Sequence, residues 1–163
     1  MAGTRKGLAP GDPIPHFELP DQDGAIFRVD DALEKGPLVV FFYPKDETAG
    51  CTAEACSFRD AHESFVAAGA TVVGISSDDV TSHKRFASRH NLPYRILADV
   101  GGEVRRRFGV PRGLFGLIDG RVTYVADQQG VVRNVFEGTL QTSAHMREAL
   151  TTVKLLSAAR STA

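Results

Sequence analysis

Apolar and polar residues along this chain fall into two rhythms. Leu38 to Tyr43 is an unbroken apolar run of strand length, as expected of a strand buried on both faces. "TVVGIS" at 71–76 is the next buried strand, and "YRILAD" at 94–99 is a further strand. Between them the rhythm turns helical. From near Cys51, Phe58, Ala61, His62, Phe65 and Val66 recur at three- and four-residue spacing until Gly69 stops them. Val80 to His90 is a short amphipathic helix closed by Asn91 and Pro93, and Gly102 to Phe108 is another. A last helix is expected from about Ser143, as N-cap, to Leu156, followed by a frayed "SAARSTA" tail.

Two hairpins bracket this alternation. In "HFELPDQDGAIFRV", Asp23-Gly24 separates two short alternating runs. Near the other end, "RVTYVAD" and "VVRNVF" flank Gln128-Gln129-Gly130. Residues 1–15, rich in Gly and Pro, read as an extended lead-in. Alternating strands and helices with a hairpin near each end predict one α/β domain built on a central mixed sheet. The domain spans 1–163, with its core at about 9–156.

Composition narrows the classes of function. With 163 residues, 42% hydrophobic and 24% charged, the chain has an ordinary globular make-up. A formal net charge of −1 offers no electrostatic case for nucleic acid or a membrane surface. The densest basic run, Arg105-Arg106-Arg107, is expected to be a solvated helix face. No apolar leader opens "MAGTRKGLAPGDPIP", and no stretch of about 18 apolar residues occurs anywhere, so no membrane span is expected and a cytoplasmic location is the default. A reducing cytoplasm argues against a structural disulfide and for catalytic, redox-sensing or metal-binding cysteines.

The chain has only two cysteines, Cys51 and Cys56, both in "PKDETAGCTAEAC" directly after the first buried strand. That places them where a strand's carboxyl end meets a helix, a favoured position for reactive groups in α/β sheets. With Thr48 as N-cap, Cys51 falls at the third helical position, facing unpaired N–H groups and the positive end of the dipole, which favour a thiolate. Gly50 lets the backbone approach a small substrate, Thr48 offers a hydroxyl, and Pro44, lacking an N–H, covers one side of the site.

Cys56 is too far along an intact helix to bond Cys51. Five residues rise about 7.5 Å and turn about 140°, which separates the Cα atoms by roughly 8.5 Å. A disulfide needs about 4.4–6.8 Å. The first turns must unwind if the two are to react. The cysteine oxidation ladder supplies the chemistry: a thiolate reduces a peroxide, a second thiol condenses with the sulfenic acid, and an external dithiol exchanges with the disulfide. Polarising the O–O bond calls for a cation, best an arginine.

These residues resemble the peroxiredoxin family. Pro44-x-x-x-Thr48-x-x-Cys51 is similar to its signature, and Cys56 five residues later resembles the bacterioferritin comigratory protein, or peroxiredoxin Q, subfamily. "FELPDQDG", "VVFFYPKD", "EACSFRD" and "VVGISSDD" resemble stretches of that subfamily in the same order. The resemblance implies a thioredoxin-like fold, its central mixed sheet flanked by helices and carrying an N-terminal β-hairpin extension. It implies a peroxidase of hydrogen peroxide and organic hydroperoxides that uses no cofactor and no metal. Cys51 would be peroxidatic and Cys56 resolving. Thr48 would hold the peroxide, Pro44 shield it, and Glu54 support the site. Arg121, opening an apolar run that ends in Asp127, fits the active-site arginine. A shortened "GVPRGLFGLIDGR" leaves Arg112 as a second choice. Ala49 stands where the family usually has proline. Thioredoxin or a similar dithiol would regenerate the enzyme, and a monomer is preferred over a dimer.

Competing readings are fewer. Cys56 alone could be a small buried hydrophobe. A thiol–disulfide oxidoreductase lacks its Cys-x-x-Cys here, and a non-enzymatic redox sensor would be oxidised once instead of turning over. The five histidines, His16, His62, His83, His90 and His145, show no ligand spacing.

Overall fold

In the computed structural model, which describes residues 7–113, 118–138 and 141–161, one five-stranded sheet organises the chain. In chain order the elements are β1 (Glu18–Pro20), β2 (Ile26–Arg28), α1 (Val29–Lys35), β3 (Leu38–Phe42), α2 (Ala49–Asp60) and α3 (His62–Ala67). There follow β4 (Thr71–Ser76), α4 (Val80–His90), β5 (Arg95–Ala98), α5 (Glu103–Phe108), β6 (Arg112–Gly113) and β7 (Ile118–Asp119). The chain ends with β8 (Val122–Ala126), β9 (Val132–Glu137) and α6 (Thr142–Ser161). The sheet order is β5-β4-β3-β8-β9, with β3, β4 and β5 parallel and β8 and β9 antiparallel to their neighbours.

Central strand β3 shows why an unbroken apolar run was needed. Leu38, Val40 and Phe42 point into one core with Phe17, Phe27 and Phe108. Val39, Phe41 and Tyr43 point into the other, with Phe58 of α2, Phe65 of α3, Phe86 of α4 and Val153 of α6. The second core holds Cys51. Phe41 stacks on Phe58 with ring centroids 4.4 Å apart. It also explains Gly74 in the middle of β4, its partner in register, because a Cβ there would lie 2.7 Å from Phe41 Cζ.

The N-terminal hairpin forms as β1–β2 around Gly24, whose φ of 81° only glycine adopts freely. Asp79 caps α4 by accepting from the Ser82 N–H, and Asn91 closes it in the left-handed conformation. Asp127 accepts from the Gln129 and Val131 N–H groups and so ties the β8–β9 turn.

Several expectations need correction. The helix from Cys51 to Gly69 is two helices, broken at Ala61. The last helix starts at Thr142, so Ser143 lies inside it and accepts from Arg147. Its "frayed" tail is helical to Ser161, and the two final residues lie outside the described part. Arg105 is buried, so only Arg106 and Arg107 form a solvated face. Helix α1 and the β6–β7 pair had no reading in the sequence. The lead-in is non-helical from residue 7; residues 1–6 lie outside the description.

Truncating Phe58 to alanine should cost about 3–5 kcal/mol, read as a lower urea midpoint at unchanged slope.

Candidate active site

Thr48 is the N-cap of α2, with extended backbone (φ −83°, ψ 154°), and its carbonyl accepts from the Thr52 N–H at 2.9 Å. Cys51 therefore sits at the third helical position, as its spacing predicts. The Thr48 hydroxyl does not cap the helix. It donates to the Lys45 carbonyl at 2.9 Å, which leaves its oxygen as an acceptor on an exposed residue. Cys51 is buried and Cys56 half-buried on the same helix, and both are free thiols. Cys56 opens onto a shallow groove that Ser57, Asp60 and Met146 also line.

The loop that carries Pro44 and Thr48 is fastened at two points. Asp46 is buried and accepts from Tyr43 Oη at 2.7 Å and Ser82 Oγ at 2.8 Å, and it meets His83 Nδ1 at 2.7 Å. The other nitrogen of His83 faces the Leu97 carbonyl at 2.9 Å. Glu47, in the left-handed conformation (φ 63°), reaches Arg89 and His90 at the end of α4. Asp46, Asp78 and His83 are close enough together to hold a metal ion, a cluster that sequence spacing did not reveal. Hydrogen bonds account for it: Asp78 accepts from the Asp46 N–H and Ser76 Oγ, while Asp46 and His83 are engaged as above.

Arg121, just before β8, is the arginine beside the sulfur. Its Nη2 donates to Cys51 Sγ at 3.4 Å and its Nη1 to Glu54 Oε1 at 2.6 Å. Gly50 makes room for it: a Cβ there would lie 3.1 Å from Nη2. The glycine thus serves the arginine's approach to the helix. Burial opposes the Arg121 charge, but Glu54 and Cys51 outweigh it and hold its pKa up. The backbone of Arg112 pairs with Asp119 in β6–β7. Part of the segment between the two arginines, 114–117, lies outside the described residues.

Behind Arg121 lies a residue the sequence offered no reason to choose. His145 of α6 is fully buried, with Nδ1 2.8 Å from Thr123 Oγ1 and 3.4 Å from Glu54 Oε2, and Nε2 2.8 Å from the Gly138 carbonyl. No local motif brings α6 against α2; only the second core does. Burial raises the Glu54 pKa from 4.5 to about 7, against the pull of Arg121. Burial likewise lowers that of His145 from 6.5 to about 4.

In sequence and in fold the chain is similar to known peroxiredoxins. The family model described as the AhpC/TSA family matches residues 10–135. Peroxiredoxin Q of Populus jackii, a chloroplastic protein, is 48% identical over 156 residues, 96% of this chain and 70% of its own length. Peroxidoxin BcpB of Mycobacterium tuberculosis superposes with a TM-score of 0.84 at 41% identity, over 90% of this chain and 96% of that one. The bacterioferritin comigratory protein of Xanthomonas campestris, described for its alkyl peroxide reduction, superposes at 0.78 with 25% identity, over 86% and 92%. The cytoplasmic expectation is corrected by the relatives, since those from Gentiana triflora and Arabidopsis thaliana are chloroplastic as well. That default rested on the missing apolar leader, whereas plastid-directed leaders are amphipathic and polar.

The two buried titrations push stability in opposite directions. Glu54 keeps its proton in the folded protein where the unfolded chain has lost it, so stability falls as pH rises from 4.5 to about 7. His145 stays neutral in the folded protein where the unfolded chain is charged, so stability rises with pH from about 4 to 6.5. Over the shared window they offset one another. Glu54→Gln removes the falling limb, so its stability should climb with pH from about 4 to 6.5 more steeply than that of wild type, as followed by urea unfolding at each pH.

Proposed function

The chain belongs to the AhpC/TSA family and is a thiol-dependent peroxidase of thioredoxin-like fold, and from that premise we propose how its residues divide the work. The Cys51 thiolate attacks one peroxide oxygen, the O–O bond breaks, and the leaving hydroxide or alkoxide takes up a proton. Cys51 becomes a sulfenic acid. The observation that carries this reading is Arg121 Nη2 at 3.4 Å from the Cys51 sulfur, at the third position of a helix. A fixed cation there favours the thiolate before attack and the charge spreading onto the peroxide oxygens during it.

Thr48 accepts the hydroxyl hydrogen of the peroxide on the oxygen that its bond to Lys45 leaves as an acceptor. Pro44, half-buried at the end of β3, limits water on one side. Glu54 holds Arg121 from behind. Cys56 then condenses with the sulfenic acid, releasing water and forming the Cys51–Cys56 disulfide, once the first turns of α2 have unwound. Peroxiredoxins use thioredoxin-type reductants; here such a dithiol reduces the disulfide by exchange. Both thiols lie on one helix, so a monomer and a single domain suffice for the whole cycle, with hydrogen peroxide and organic hydroperoxides as substrates and neither nucleic acid nor membrane involved.

Stopped-flow oxidation of the reduced protein by hydrogen peroxide, with mass spectrometry of the products, tests this. Wild type should react fast and lose two hydrogens, Cys56→Ser should stop at sulfenic acid or beyond, and Cys51→Ser should be inert. If Cys51 reacts no faster than an ordinary free thiol, the assignment fails. Arg121→Lys, which cannot reach both partners with a planar fork, should lower the rate by about ten- to a hundredfold, about 1.4 to 2.7 kcal/mol in the barrier.

A further inference from the structure

Glu54 presents an unsolved problem of hydrogen bonding. Its Oε1 accepts from Arg121 at 2.6 Å, but its Oε2 is fully buried and has no hydrogen-bond partner among the described residues. His145 Nδ1 lies 3.4 Å from it. The other ring nitrogen decides what Nδ1 is. Nε2 lies 2.8 Å from the Gly138 carbonyl, which only accepts, so Nε2 carries a hydrogen. A neutral ring then has one lone pair at Nδ1, 2.8 Å from the Thr123 hydroxyl and 3.4 Å from Glu54 Oε2, so the hydroxyl and the acid share a single acceptor.

An ionised Glu54 would set a bare carboxylate oxygen against that lone pair, with both side chains fully buried. A carboxylic acid with its hydrogen on Oε2 turns the same contact into an attraction. The alternative, an imidazolium facing a carboxylate, would bury one more ion pair beside the charge of Arg121. Burial disfavours that, and the two shifts agree with the neutral pair: about 7 for Glu54 and about 4 for His145 put the proton on Glu54 between those pH values.

We propose that His145 is a positioning residue of the peroxidase reaction: its Nδ1 lone pair holds the proton of a neutral Glu54, so that Glu54 orients Arg121 without cancelling the charge that acts on Cys51. This rests on the peroxidase reading above and deepens it. An uncharged acid at 2.6 Å still accepts from Nη1 and so fixes the plane of the guanidinium. A carboxylate there would compete with the thiolate for one positive charge. The titratable and charged groups facing the pair are Arg121 before β8, Cys51 of α2 beyond it, and Tyr94, whose hydroxyl is bound to the Ala55 carbonyl and whose pKa burial raises well above 10. The Phe136 ring of β9 closes the remaining side of His145, edge-on at 4.8 Å.

The test has two readouts. Carbon-13 NMR of glutamate-labelled, reduced protein should show one carboxyl titrating near pH 7, absent in Glu54→Gln. In His145→Leu it should move down by roughly one pH unit, the equivalent of one hydrogen bond to the acid form. His145→Asn, whose side-chain oxygen can take the place of Nδ1, should restore it. The peroxide rate should fall through the same inflection as pH rises, and the inflection should shift with each variant. The NMR experiment needs no turnover. A protein inert to peroxide whose Glu54 still titrates near 7 would sink the peroxidase reading and with it the role given to His145, while leaving the proton where the geometry puts it. A Glu54 resonance already ionised at pH 6, or one indifferent to His145→Leu in a folded protein, would overturn the proposal itself.

Discussion

One guanidinium holds this site together. Arg121 touches the Cys51 sulfur with one nitrogen and Glu54 with another, and it stands at the junction of β8 and the second core. An arginine can do this because its donors are fixed in one plane and always charged. Everything around it makes that contact possible: Gly50 removes the side chain that would collide with Nη2, the Thr48 cap sets the helical position of Cys51, and β8 lies beside β3, whose carboxyl end delivers the loop.

Two buried histidine–carboxylate pairs flank this junction and are built in opposite ways. Asp46 is ringed by donors from Tyr43, Ser82 and the His83 ring, and the far side of that ring meets a carbonyl. The task of this pair is mechanical: it fastens the loop before α2 to α4 and β5. Glu54 has one donor, Arg121, and otherwise a histidine lone pair. Such a pair suits a proton. The same two residue types thus anchor a loop in one place and, in the proposed reading, control charge in the other, according to how many donors the fold brings to the carboxylate.

Much of this was readable from residue order. The apolar runs gave β3 and β4 because strands covered on both faces need apolar side chains in both directions, and a run interrupted by Arg95 gave β5. Thr48 and Cys51 could be placed because capping is local. Arg121 was chosen because its flanking run resembles the family's pattern, and that run closes with Asp127 for the separate reason that this residue ties a turn. What could not be read were contacts made across the fold. His145 has polar and apolar neighbours like any helical histidine, and nothing within α6 shows that Thr123 and Glu54 lie opposite it. Arg105 sits in a run of three arginines, yet its place on α5 turns it inward while the next two face water. Helix α1 is short, and its first residue, Val29, continues the alternation of β2, so no change of period marks its start.

The bracketing of α2 bears on the step that needs it unwound. Upstream, Asp46 is locked; downstream, Phe58 is stacked on Phe41 and does not have to move. Between them only Cys51, Glu54 and Ala55 are buried, and Ala49 and Ala53 are exposed. Unwinding therefore uncovers one sulfur, one methyl group and one carboxyl, so little apolar area is lost. The carboxyl is the informative one. Its burial raises its pKa to about 7, so exposing it to water relieves a penalty that grows as pH rises toward that value. In the proposed cycle, a carboxyl that supports the arginine while the helix is folded would thus lower the cost of unfolding that helix once the sulfur has been oxidised. Residues that assemble a reactive thiolate and residues that let it leave need not be different ones, provided one of them is an acid held where water cannot reach it.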